Sequence, residues 1–214
     1  MNDQSSISGF GYSNADHSHA HAYLLPKVTE ELATIHKRCT TSPRLFDLGC
    51  GNGSVGALFA SQGWSVTGVD PSSEGIAHAQ KAYPHLRFEE GSAYDDLAAK
   101  YGCFPAVISL EVVEHVYAPR DYARTLFSLV EPGGTAIVST PYHGYLKNLA
   151  LALTGKMDRH FTVLWNHGHI KFWSIPTLTT LLNEAGFETI RFHRVGRVPV
   201  LAKSMVAVAR KPAS

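Results

Sequence analysis

The sequence predicts an α/β fold: a seven-stranded sheet, mostly parallel with its last strand antiparallel, and helices on both faces. Three observations carry this. Short apolar runs alternate with amphipathic stripes from Pro43 onward, the pattern of a parallel sheet covered by helices. The first run ends in a glycine cluster that opens a helix, as ligand-binding α/β sheets do. Only Gly196–Lys203 separates the last two runs, too few residues for the crossover of about a dozen that a parallel pair needs.

The strand candidates, in order, are Arg44–Leu48, Ser65–Val69, Leu86–Phe88, Ala106–Leu110, Thr135–Thr140, Thr189–Val195 and Ser204–Ala209. Ahead of them, Pro26 stands where a helix can begin, since its missing N–H costs nothing in a first turn. Val28, Leu32 and Ile35 follow at helical spacing. The later stripes are Val55, Leu58, Phe59; Ile76, Ala79, Tyr83; Ala123, Leu126, Phe127, Val130; and Leu178, Leu181, Leu182, Ala185, with Gly186 as a stop. Glu131–Gly134 reads as a turn into the fifth strand. The chain is expected to be one domain, 1–214: a lid or helix over 1–42, a cofactor-binding core over 43–140, an insertion over 141–173, and a helix with a β-hairpin over 174–214.

Composition narrows the function. Of 214 residues, 44% are hydrophobic and 17% charged, with a net charge of +1. That suits a packed core and argues against a large nucleic-acid footprint. No apolar run approaches the roughly 20 residues of a membrane span. The polar start, MNDQSSISGFGYS, does not read as a secretory signal. Cys39, Cys50 and Cys103 are odd in number and widely spaced, which fits reduced thiols and a cytoplasmic location.

The chemistry begins at Asp47-Leu48-Gly49-Cys50-Gly51-Asn52-Gly53-Ser54. Glycines there let backbone approach a ligand, and the helix start behind them offers unpaired N–H groups. Asp70, at the end of the second strand, stands where an acid can accept both hydroxyls of a ribose. It also reads as a helix cap with Pro71 and Ser72. Gly51-x-Gly53-x-x-Gly56 by itself equally satisfies a nicotinamide dinucleotide site, so the glycines alone do not choose.

With DLGCGNG, VTGVDPS, EEGSA, SLEVVEHV and EPGGTAIVST in this order, residues 40–210 resemble class I S-adenosylmethionine-dependent methyltransferases, with a Rossmann-like sheet. The resemblance implies S-adenosyl-L-methionine as cofactor and S-adenosyl-L-homocysteine as product. It places Asp47, Gly49, Gly51, Asn52 and Gly53 around the methionine end and Asp70 on the ribose. Pro71 or Ser72 would border the adenine, and Ser92 and Ala93 would flank its ring. Leu110 and Glu111 would sit under the carboxylate or sulfonium. Pro105 stands where the family often has an Asp.

Methyl transfer from a sulfonium is an in-line displacement, so alignment is the protein's main task, with proton removal added for a hydroxyl acceptor. The block Glu111-Val112-Val113-Glu114-His115 is similar to that of the ubiquinone-biosynthesis O-methyltransferases, in some of which the equivalent Glu, Glu and His are linked to a divalent cation. If helical, these three share a face. No metal ligands are assigned. His115 and His143 are the candidate catalytic residues, as proton acceptors near working pH. Of the other histidines, His17, His19, His21, His160, His167 and His169 fit no zinc spacing and read mainly as solvated polar residues.

The segment Tyr142–Lys171 contains an apolar helix candidate, Tyr145–Leu153. It reads as a lid for a greasy acceptor, as a peripheral membrane contact through 145–165, or as ordinary packing. The expected reaction is O-methylation of a small aromatic or hydrophobic hydroxyl compound. The alternatives are an NAD(P)-dependent oxidoreductase and a non-enzymatic Rossmann-like binding module. The expected partner is a small-molecule acceptor, with no nucleic acid.

Overall fold

The computed structural model describes residues 21–39, 43–161, 163–165 and 168–213. All seven predicted strands form, in one sheet: β1 (Arg44–Leu48), β2 (Ser65–Asp70), β3 (Arg87–Glu90), β4 (Phe104–Leu110), β5 (Val130–Pro141), β6 (Glu188–Val195) and β7 (Ser204–Arg210). Their order is β3-β2-β1-β4-β5-β7-β6. The pairs from β3 to β5 are parallel. β7 enters antiparallel between β5 and β6, so it alone runs against the rest. The chain leaves β1 toward β2 on one side and returns to place β4 on the other. That reversal opens a crevice at the carboxyl ends of β1 and β4, where ligands of open α/β sheets bind.

Helices cover both faces. α1 (His21–His36), α2 (Ser54–Ser61) and α3 (Ser73–Ala82) lie on one side; Leu24, Val28, Phe59 and Ile76 join Leu45, Ile108 and Ile137 in its core. α4 (Leu97–Tyr101), α5 (Pro119–Leu129) and α8 (Ile175–Glu184) lie on the other, with Leu126, Leu178 and Leu182 packed on Phe46, Val107 and Val138. Between β5 and α8 come two short helices, α6 (Tyr145–Leu153) and α7 (Met157–Phe161). Among the described residues no helix is long and apolar enough to cross a membrane.

Three local expectations are corrected. α1 starts five residues before Pro26, which therefore lies inside the helix; the apolar stripe runs back to Leu24, and burial outweighs the lost hydrogen bond. β4 extends back to Phe104, with a register shift between Phe104 and Ala106 that places Pro105 where no ladder N–H is required. Glu131–Gly134 is a bulge within β5, pivoting on Gly133 at φ +76°, rather than a turn ahead of it. Most of the N-terminal leader, His17 and His19 included, and His167 lie outside the described residues.

α1 is tied to the far edge of the sheet. Glu31, buried on its inner face, accepts hydrogen bonds from both terminal nitrogens of Arg191 and pairs with His193, both on β6. The Arg191 guanidinium beside it holds the Glu31 carboxyl below its ordinary value of 4.5.

Candidate active site

The first wall of the crevice is the loop after β1. Gly49 adopts φ +87°, and a Cβ there would lie 2.4 Å from Val112 Cγ2. Gly53, at φ +75°, precedes α2, and a Cβ would lie 2.8 Å from that of Ala79. Both positions therefore exclude side chains twice over, by conformation and by space. Asn52 is buried, and its Oδ1 accepts from the Ser54 N–H at 3.3 Å, so it shapes the turn.

Asp70 faces this loop from the end of β2. Its Oδ2 accepts from the Gly51 N–H at 2.9 Å and its Oδ1 from the Ser72 N–H at 2.8 Å. Burial raises its pKa. An ionised carboxylate has about four acceptor sites, so two remain for a diol after the backbone is held. Beneath the loop, Asp47 is 2% exposed and its Oδ2 has no hydrogen-bond partner. Burial and nearby Asp70 push its pKa up to about 8. A buried, unpartnered carboxyl oxygen is costly unless a ligand donor meets it.

Beyond Asp70, the turn after β3 carries Ser92 and Ala93. It is anchored by Gly91 N–H on the Asp70 carbonyl at 3.1 Å and by Ser92 N–H on Asp95 at 2.7 Å. Pro71 is exposed at the rim and Leu110 is buried at the end of β4. An N–H-lined loop, an acid with spare acceptor capacity and an orphaned carboxyl stand at the carboxyl ends of β1 and β2. These features fit an adenosyl amino acid.

The second wall departs from expectation. Residues 111–116 form a turn, not a helix, because Glu111 takes φ 55° and breaks the path. Its carboxylate turns to the neighbouring strands, accepting from Ser139 Oγ at 2.8 Å and Ser204 Oγ at 3.4 Å. The Ser204 hydroxyl in turn lies 3.3 Å from that of Tyr23 on α1. Burial raises the Glu111 pKa to about 7. Glu111, Glu114 and His115 thus do not share a face.

Glu114 joins a different group. Its carboxyl is 1% exposed, with neither oxygen in a hydrogen bond, and burial together with Glu111 raises its pKa strongly. One ligand atom each from Glu114, His115 and His169 lie within 4.8 Å of one another. His169 comes from the insertion, which is strapped here by the Ile170 and Lys171 N–H groups on the Glu114 carbonyl and by Trp173 Nε1 on the Val113 carbonyl. Two imidazoles and a carboxylate suit a transition-metal dication better than magnesium, which prefers oxygen donors.

His143 follows β5 and is 7% exposed, ringed by His160, Phe161 and Phe172. Burial, then the Lys147 charge, lowers its pKa to about 4, so the ring is neutral near pH 7 and its Nδ1 has no partner. His115 stands in the turn after β4 and His143 just past β5. The sequence reading missed His169, Ser139, Ser204 and Tyr23 as site residues. A signal existed for Ser139: it and Thr140 are polar yet fully buried at the end of an apolar strand.

A methyltransferase-domain family model matches residues 17–191. The ubiquinone biosynthesis O-methyltransferase of Dinoroseobacter shibae is 30% identical over 180 residues, 78% of this chain and 71% of the relative. That of Caulobacter sp. strain K31 is 40% identical over 126 residues, 57% of this chain and only 48% of the relative. The matched segment thus spans between 48% and 71% of these relatives. A solved S-adenosylmethionine-dependent methyltransferase from Methanosarcina mazei superposes with TM-score 0.63 at 21% identity, covering 85% of this chain and 98% of that one. Phosphoethanolamine N-methyltransferase 2 of Haemonchus contortus, in complex with S-adenosyl-L-methionine, gives 0.60 at 15%, covering 86% and 52%. The chain belongs to the methyltransferase domain family and has its Rossmann-like fold.

Proposed function

We propose that this methyltransferase transfers the methyl group of S-adenosyl-L-methionine to the hydroxyl of a small aromatic or otherwise hydrophobic compound. One observation carries the reading: the Asp70–Gly51 wall and the Glu114–His115–His169 wall meet at the sheet's switch point. On the donor side, Asp47 receives the ammonium of the methionine moiety and the loop N–H groups its carboxylate. Asp70 takes the ribose, with Pro71, Ser92 and Ala93 around the adenine.

The sulfonium is already an activated leaving group, so alignment and proton management remain. His143, neutral and with a free Nδ1, orients the acceptor hydroxyl and receives its proton, and His115 holds it from the other strand. A divalent cation, where bound, would be held by Glu114, His115 and His169 and would lower the pKa of the hydroxyl. α6 acts as the lid. It has no buried residue, and Leu146, Leu149 and Leu153 are exposed, which supports contact with an apolar tail or with a membrane surface through 145–165. Relatives named ubiquinone biosynthesis O-methyltransferases support oxygen as the accepting atom.

Calorimetric titration with S-adenosylhomocysteine tests the cofactor; folded protein without binding at sub-millimolar ligand defeats the proposal. A screen of phenols, catechols, quinolones and fatty acids with labelled cofactor tests the acceptor, and methylation confined to fatty acids defeats the hydroxyl assignment. The oxidoreductase alternative is not favoured by the family match.

A further inference from the structure

Next to the acceptor wall lies a cavity of about 490 Å³, between α6, α7 and the segment before β7. Four cations line it: Lys147, Lys156, Arg197 and Lys203; among the described lining residues there is no carboxylate. Pro141, His143 and His169 also line it, so it adjoins the proposed acceptor side.

Two of the charges are held in place. Lys147 donates to the carbonyls of Tyr142 at 2.7 Å and Ala202 at 3.1 Å, which fixes the ammonium and leaves it one free proton of three. Lys203 is steadied over the Tyr23 ring, 5.2 Å from its centroid. The charge of Arg197 bears on Lys147 unfavourably and that of Glu111 favourably; among the described residues Arg197 has no ion-pair partner. Like charges brought together cost stability in the empty protein, the more so as Lys147 is partly buried, and an anion relieves that cost.

We infer that the methyl acceptor carries an anionic group, a carboxylate or a phosphate monoester, seated in this cavity on Lys147, Arg197 and Lys203. The inference rests on the proposed acceptor side and narrows its substrate to anions. The apolar lining of Leu151 and Phe172 leaves room for a ring or chain beside the charge, so the acceptor is amphipathic rather than merely greasy.

The test is equilibrium binding of benzoate and phenyl phosphate against benzyl alcohol and phenol, with S-adenosylhomocysteine bound. The anions should bind about tenfold tighter or better than their neutral counterparts. Arg197→Ala, at an exposed position, should remove about tenfold from the anions and nothing from phenol. Equal binding of anions and neutrals, or an Arg197→Ala variant with unchanged anion affinity, overturns the inference. A further arm separates a free acceptor from a lipid headgroup: phenyl phosphate must bind without vesicles, and an anion response seen only with phosphatidylglycerol vesicles overturns it too. Titrating the same anions without cofactor keeps this result independent of the donor site. Absent S-adenosylhomocysteine binding would sink the proposed function; intact binding without anion preference would sink only the present inference.

Discussion

The two walls of the crevice are built by opposite means. The donor wall, from β1 to β3, is closed by geometry: left-handed glycines, side-chain atoms waiting at 2.4 and 2.8 Å, and an aspartate that holds the loop by its backbone. The proposed acceptor wall, from β4 to α7, is polar: a buried glutamate carboxyl and buried imidazole nitrogens without hydrogen-bond partners, beside a cationic cavity. A wall that binds one constant cofactor can be rigid, whereas a wall that selects an acceptor relies on side chains free to meet it. Disturbing the first should therefore abolish cofactor binding, and disturbing the second should slow transfer while cofactor binding stays intact.

The largest expected effect is at Gly49. Gly49→Ala adds a Cβ inside van der Waals range of Val112 at a positive φ. Strain and overpacking together should cost about 3 kcal/mol or more of stability. S-adenosylhomocysteine affinity, measured on whatever folds, should fall at least about a hundredfold. Near-native melting and affinity would show that the donor wall is not set by this geometry.

His143→Asn and His115→Asn probe the other side. Each should lower kcat by on the order of a hundredfold with the S-adenosylhomocysteine dissociation constant unchanged. A chelator should reproduce the His115→Asn loss if Glu114, His115 and His169 hold a cation. A His115→Asn variant as active as the parent would remove that cluster from the chemistry. Asp70→Ala returns to the donor side with a smaller change. It strands the Gly51 and Ser72 N–H groups and should weaken S-adenosylhomocysteine by about 1–3 kcal/mol. An unchanged titration would take the ribose away from Asp70.

The same contrast explains what the sequence revealed. Glycines, an aspartate at a strand end and the helix caps act through backbone conformation, which is a local property, so the donor wall could be read from adjacent residues. All seven strands and α6, Tyr145–Leu153, were legible for that reason. The acceptor wall is made by residues far apart in the chain: His169 reaches Glu114 across 55 positions, and Ser204 reaches Glu111 across 93. No periodicity encodes such meetings. The reading of Glu111, Glu114 and His115 as one helical face failed on a single dihedral, the positive φ of Glu111, whose carboxylate is bonded instead to serines of β5 and β7. Lys147 was hidden in a helix read as apolar, and its charge gained meaning only when Arg197 came beside it.

The smallest effect is the most discriminating, because it separates holding the loop from holding a ligand at Asp47. In the free protein its carboxyl titrates at about 8, raised by burial and by Asp70, against an ordinary value of 3.8. A group whose folded pKa is raised binds its proton more tightly when folded, so it contributes stability that is lost as pH rises from about 4 toward 8. A ligand ammonium reverses the preference by favouring the charged form. Binding of S-adenosylhomocysteine at pH 7 should then release a proton, and affinity should rise with pH up to about 8. Calorimetry in two buffers of different ionisation enthalpy reads the released proton directly. Asp47→Asn should flatten both the pH dependence of melting and the proton release. If the variant keeps the release, the ammonium lies elsewhere, and Asp47 serves only the turn above it.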